Sequence, residues 1–110
     1  MADVINRGDL PDGGEFQGHL FGNPGFSFIW VELEPGQGPK LHRHDYQEVF
    51  VVIEGRAVYT LGEETVEVSG GQVVIAPAGV RHKFVNAGPG MLRQIDIHAS
   101  DRFVTDWLGD

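Results

Sequence analysis

Every apolar run in this chain is cut short by a glycine, a proline or a brief polar turn, and that punctuation limits what the chain can fold into. Residues 26–33 (FSFIWVEL), 49–54 (VFVVIE), 56–61 (RAVYTL), 65–68 (TVEV), 72–76 (QVVIA), 80–85 (VRHKFV) and 91–98 (MLRQIDIH) each read as a strand. Between them lie Gly62-Glu63-Glu64, which is the best hairpin signal, Gly70-Gly71, Pro77-Ala78-Gly79 and Gly88-Pro89-Gly90. Residues 15–21 would add a first strand. About eight or nine short strands separated by turn signals, with almost no helix, form the pattern of a β-sandwich or a closed barrel, the latter leaving no exposed sheet edge.

Strand periodicity assigns faces. In 26–33, Phe26, Phe28 and Trp30 share one side and Ile29, Val31 and Leu33 the other, so the strand is central and apolar on both faces. Phe28 and Trp30 either line a ligand pocket or fill the core. In 91–98, Leu92, Gln94, Asp96 and His98 share one face, which looks into a cavity or into water; Gln94 and His98 are pocket candidates. Ser100 is placed to cap a short helix over the rest of 100–108, with Phe103, Val104, Trp107 and Leu108 on one stripe reserved for core or interface. Residues 1–14 read as an irregular leader or edge strand. They lack the basic start and apolar run of a signal peptide, and no stretch is long enough to span a membrane, so a single cytoplasmic domain over 1–110 is expected.

The chemistry concentrates in residues 36–55, GQGPKLHRHDYQEVFVVIEG. His42, His44 and Glu48 are even-numbered, so an extended chain directs all three to one face. Imidazoles and carboxylates are common ligands of divalent first-row metals, and burying them beside an apolar strand is costly unless something satisfies them. Residues 71–86, GQVVIAPAGVRHKFVN, bring a further histidine, His82, just after a Pro-Ala-Gly turn. Without cysteine, disulfides, thiol chemistry and cysteine-ligated zinc are excluded. Sixteen acidic against eight basic residues give a net charge of -8 with no Lys/Arg cluster, which argues against nucleic acid as a partner.

These two segments resemble the cupin motifs. Gly36, His42, His44, Glu48 and Gly55 stand at the spacing of the first motif, and Gly71, Pro77, Gly79, His82 and Asn86 at that of the second. The motif core therefore runs over 36–86. The resemblance implies an all-β fold: a double-stranded β-helix (jelly-roll) barrel, followed here by the short C-terminal helix. It implies that His42, His44, Glu48 and His82 hold one divalent metal ion (Fe, Mn, Ni, Zn or Cu), with the glycines and Pro77 shaping turns and Asn86 structural. Tyr46, Phe50 and Phe84 lie near the ligands in sequence, and Phe50 and Phe84 share their parity, so these three are expected to line the pocket. The implied function is a small metal-dependent enzyme acting on an oxygen-rich molecule, dioxygenase-like or of decarboxylase or isomerase type. The alternatives are a metal-dependent binding or sensor protein and a metal-free barrel. Cupins of this size resemble homodimers that pair sheet against sheet.

Overall fold

Ten strands form among the described residues of the computed structural model, which are residues 3–109. They are β1 (Glu15–Gln17), β2 (Ser27–Leu33), β3 (His42–Arg43), β4 (Glu48–Glu54), β5 (Arg56–Leu61), β6 (Glu64–Ser69), β7 (Val73–Ala76), β8 (His82–Asn86), β9 (Leu92–His98) and β10 (Asp106–Trp107). Two five-stranded sheets result, ordered β1-β2-β9-β4-β7 and β10-β3-β8-β5-β6, with antiparallel pairing throughout. This is the jelly-roll arrangement. The hairpin expected at Gly62 joins β5 to β6 through Leu61↔Glu64.

The core lies between the sheets and is built from Phe50 and Val52 of β4, Ala57 and Tyr59 of β5, Val68, Val74, Ala76, Phe84 and Leu92. Antiparallel pairing decides which end of this layer becomes polar. It sets the first residue of β4 beside the last of β9 (Glu48↔His98), while His82, the first residue of β8, pairs with His42. The inward side chains of β4, β8 and β9 thus run from hydrocarbon at one end to ionisable groups at the other.

Two close approaches demand glycine. A Cβ on Gly55 (φ 95°) would stand 2.5 Å from Met91 O, and one on Gly38 only 1.9 Å from Phe84 O. Asn86 is buried and fully used: its amide donates to Leu33 O (2.9 Å) and Gly90 O (2.8 Å) and accepts from the Gly88 N–H (2.9 Å). Asn86→Ala would leave two carbonyls and one N–H without their partner. We expect it to cost roughly 2–4 kcal/mol, read as a lower urea midpoint at unchanged slope.

Three expectations are corrected. Residues 100–108 are not a helix: the segment is extended, and β10 pairs with β3 through Asp106↔Arg43 and Trp107↔His42. A free sheet edge at β3 offers backbone partners that outweigh the weak helical stripe. The first strand stops at Gln17, where a 3-10 turn (Gly18–Leu20) takes over, and the leader forms 3-10 turns at Arg7–Asp9 and Pro11–Gly13. Phe28 and Trp30 stand on the solvent side of β2, around a small depression shared with Ile5, Arg7, Leu10 and Phe16. With both faces of β2 apolar, its inward register is set by pairing with β9, where Ile29 lies opposite Asp96 and Val31 opposite Gln94.

That solvent side carries two apolar rows across four strands. Register aligns Phe28, Ile97, Val49 and Ile75 in one row and Trp30, Ile95, Val51 and Val73 in the next. A charged row follows, in which Arg93 pairs with both Glu32 and Glu54.

Candidate metal centre

Four buried side chains converge at the polar end of the sandwich: His42, His44, Glu48 and His82 offer ligand atoms that all lie within 4.8 Å of one another. Each histidine is oriented by its other nitrogen. Nδ1 of His42 lies 2.7 Å from Lys40 O, that of His44 2.8 Å from Val104 O, and that of His82 3.0 Å from Val80 O. A carbonyl can only accept, so all three Nδ1 atoms carry the hydrogen, and in a neutral ring each Nε2 presents a lone pair.

Those lone pairs meet another acceptor. Nε2 of His44 and Nε2 of His82 both lie 3.1 Å from Glu48 Oε1. His44 Nε2 is buried without an aligned hydrogen bond despite that distance. Acceptors aimed at one point are reconciled by protonating the rings or by placing a cation among them. A cation fits this donor set, since imidazole nitrogens plus one carboxylate suit divalent first-row metals, and ring N–H bonds to carbonyls are the usual orienting contacts of ligating histidines. Glu48 is ionised in either case: burial works to raise its pKa, but hydrogen bonding from the rings of His44, His82 and His98 when they carry a proton on Nε2 outweighs it and holds the carboxyl well below the usual range. Burial lowers the pKa of His42, only partly opposed by its bond to Lys40 O.

His98 stands behind the carboxylate, with Nε2 3.2 Å from Glu48 Oε2 and Nδ1 2.7 Å from the Tyr46 hydroxyl. Because that hydroxyl already accepts the Val104 N–H (3.3 Å), its own hydrogen is free for His98 Nδ1, which places the ring hydrogen on Nε2; like His44 Nε2, this atom is buried and near Glu48 without an aligned hydrogen bond. The Tyr46 ring stacks on His44 with centroids 4.8 Å apart, and burial pushes its hydroxyl up to about 12.

The cluster opens into a cavity of about 510 Å³. Its walls include Ile29, Val31 and Leu33 of β2, Phe84 of β8, and Phe103, Thr105 and Trp107 of the C-terminal segment. Alternation over 103, 105 and 107 is strand periodicity, and it brings the Trp107 ring within 5.0 Å of His42 and Phe103 within 4.8 Å of His98. Of the residues expected in the pocket, Phe84 and His98 line it. Phe50, Gln94 and Tyr46 sit one layer behind: Phe50 packs edge-on to His82 (5.6 Å), and Gln94 bridges Tyr59 and Asp96. Phe28 and Trp30 are outside it, as described above. Gly79 ties the second motif to the first, its N–H donating to His44 O at 2.7 Å.

Sequence reasoning missed Asp96 and the β10 segment. Asp96 was marked by the even face it shares with His98; the segment gave no local signal, because its pairing partner lies about 60 residues away.

A family model described as "Cupin domain" matches residues 29–98. An uncharacterized protein of Streptomyces coelicolor is 46% identical over 52 residues, 47% of this chain and 50% of that one. The HTH-type transcriptional regulator PuuR of Escherichia coli is 30% identical over 109 residues, 91% of this chain and 58% of the regulator. The chain thus spans about half the length of the curated relatives it matches. Among solved structures, the oxalate decarboxylase of Bacillus subtilis, described with Mn(II) centers, superposes with a TM-score of 0.78 at 24% identity, over 86% of this chain and 28% of that one.

Proposed function

The chain belongs to the cupin family, and on that footing we propose that it is a small-molecule metalloprotein whose single divalent ion is held by His42, His44, Glu48 and His82. One observation carries the reading: three histidine Nε2 lone pairs and a carboxylate are aimed at a common point, each ring fixed by a carbonyl on its far nitrogen. Manganese has support from the Mn(II) centers of the decarboxylase, and Fe, Ni, Zn and Cu suit the same donors. A divalent ion there would polarise a ligand oxygen and lower the pKa of bound water. The chain's own residues then do three things. Phe84, Phe103 and Trp107 shield the site from water, His98 steadies Glu48, and Asp96 offers a polar group that no metal ligand occupies. We read this as an enzyme site for an oxygen-bearing small molecule, dioxygenase-like or of decarboxylase or isomerase type.

Elemental analysis of protein purified without a metal-affinity tag tests the reading. About one equivalent of a first-row metal is expected; a chain that is empty and cannot be reloaded would end it. A second reading, a metal-dependent sensor without turnover, has specific support: the match to PuuR covers 91% of this chain, so the likeness to the regulator extends over nearly all of it. Ligand binding without consumption of any tested substrate would favour that reading.

A homodimer belongs to the same proposal. The two apolar rows on the solvent side of β2, β9, β4 and β7 leave Ile75 and Val73 more than half exposed, and the charged row of Glu32, Arg93 and Glu54 borders them. An apolar centre with a charged rim suits a self-complementary interface. Wild type should sediment at about twice the 12.1 kDa of one chain. The double variant Val51→Lys, Ile75→Lys should sediment as a monomer. A monomeric wild type at tens of micromolar would exclude the dimer.

A further inference from the structure

The lining of the cavity is unbalanced in charge. Apart from the metal cluster and His98, its ionisable groups among the described residues are Glu15 and Asp96, and none of those residues that line it is Lys or Arg. The rest of the wall is mostly hydrocarbon and aromatic ring: Ile29, Val31, Leu33, Phe84, Phe103 and Trp107. A ligand carboxylate lying away from the metal would therefore lose its hydration without meeting a cation, and would face acidic groups instead.

Asp96 is held as a built polar contact. Gln94 Nε2 donates to its Oδ1 at 2.6 Å, and Gln94 Oε1 in turn accepts from the Tyr59 hydroxyl at 2.7 Å. Tyr59 is fully buried and stacked on Phe84, with centroids 5.2 Å apart, so the whole relay is fixed by packing. Gln94 is the only hydrogen-bond partner of Asp96 among the described residues, which leaves its second oxygen to the cavity. Burial, reinforced by the Glu48 charge and only partly opposed by Gln94, holds this carboxyl well above its usual pKa in the metal-free chain. On β9, Asp96 stands one pleat repeat from His98, about 6–7 Å along the strand from the cluster's edge.

We propose that the cavity selects a compact, largely apolar ligand, uncharged in solution, that brings one phenol, enol or ketone oxygen to the metal and a second oxygen to Asp96, and that it rejects dicarboxylates. The inference rests on the metal reading given above. Hydrocarbon between the two oxygens would lie against Ile29, Val31 and Phe84.

The full chain loaded with zinc, which is redox-silent, tests this by calorimetric titration with 4-methylcatechol and with malonate, zinc being assayed before and after each run. We expect 4-methylcatechol to bind at least tenfold more tightly than malonate. Asp96→Ala should weaken 4-methylcatechol about tenfold without weakening malonate. Asp96→Asn, whose amide still accepts from Gln94 and donates to the ligand, should stay within about threefold of wild type. The thermal melt and zinc content of both variants show that the site is intact. A zinc-loaded chain that prefers malonate overturns the selectivity alone, as does equal loss of 4-methylcatechol in the Ala and Asn variants. A chain that retains no zinc overturns the metal reading itself, and the selectivity with it.

Discussion

Replacing His42 and His82 together by alanine is expected to abolish the response of the chain to divalent metal while leaving it folded. In wild type, metal at about 100 times its Kd should add roughly 2.7 kcal/mol of stability, and for a domain of this size that corresponds to a rise in Tm of the order of 10 °C. The double variant keeps only His44 and Glu48 of the four converging groups. Two ligands with incomplete geometry bind far more weakly, so the rise should shrink to about a degree or less. The fold itself should persist in the double variant, because the hydrophobic core from Phe50 to Leu92 contains neither residue. Differential scanning fluorimetry with and without manganese or zinc, beside elemental analysis after desalting, reads both quantities. A variant that still carries a full equivalent of metal would place the ion elsewhere.

Gly38→Ala should be the most damaging single methyl group that can be added to this chain's first motif. The new Cβ would stand 1.9 Å from Phe84 O and 2.9 Å from Phe84 C. Backbone of a central strand cannot rotate away as a side-chain tip would, so β8 or the 34–41 loop must shift. We expect a loss of more than about 3 kcal/mol, read as insoluble protein or a collapsed urea midpoint. The damage should reach the site, because Phe84 lines the cavity two residues from His82 on the same strand face. Gly36→Ala provides the contrast. Its Cβ meets open space, so only the positive φ of 84° opposes it, at about 1 kcal/mol. If the two variants melt together, the close approach at Gly38 is not what limits the loop.

The ease with which different parts of this molecule can be read from its sequence follows from how local their causes are. His42, His44 and Glu48 are legible because two-residue periodicity is enough to put them on one face, and the turn at Pro77 to Gly79 announces the strand that His82 begins. The strand content was likewise written in short apolar runs cut by glycine. Residues 26–33 defeat the same method. With apolar side chains on both faces, periodicity supplies two equivalent registers, and the choice of Ile29 and Val31 as the inward pair is made by β9. Asp96 was placed on the correct face beside His98, but whether that face met water or cavity depended on a second sheet. The C-terminal segment is the extreme case. Phe103, Val104, Trp107 and Leu108 satisfy a helical stripe, whereas the free edge of β3 that captures them is invisible to any local window.

The capture of β10 by β3 also bears on the order in which the centre can come into being. His44 owes the hydrogen bond that fixes its tautomer to Val104 O, and Trp107 and Phe103 cover His42 and His98. The contacts to His44 and His42 join residues some 60 positions apart in the chain, so their loop-closure entropy is expected to fall due late, once the strands they bridge are in place. The motif residues can meet early, as soon as β4 and β8 are stacked, but the ring of His44 has no fixed orientation until the 103–108 segment docks. Fixing of the His44 ring is therefore expected late on the folding path: a chain that already holds all four converging side chains is still one strand short of this contact.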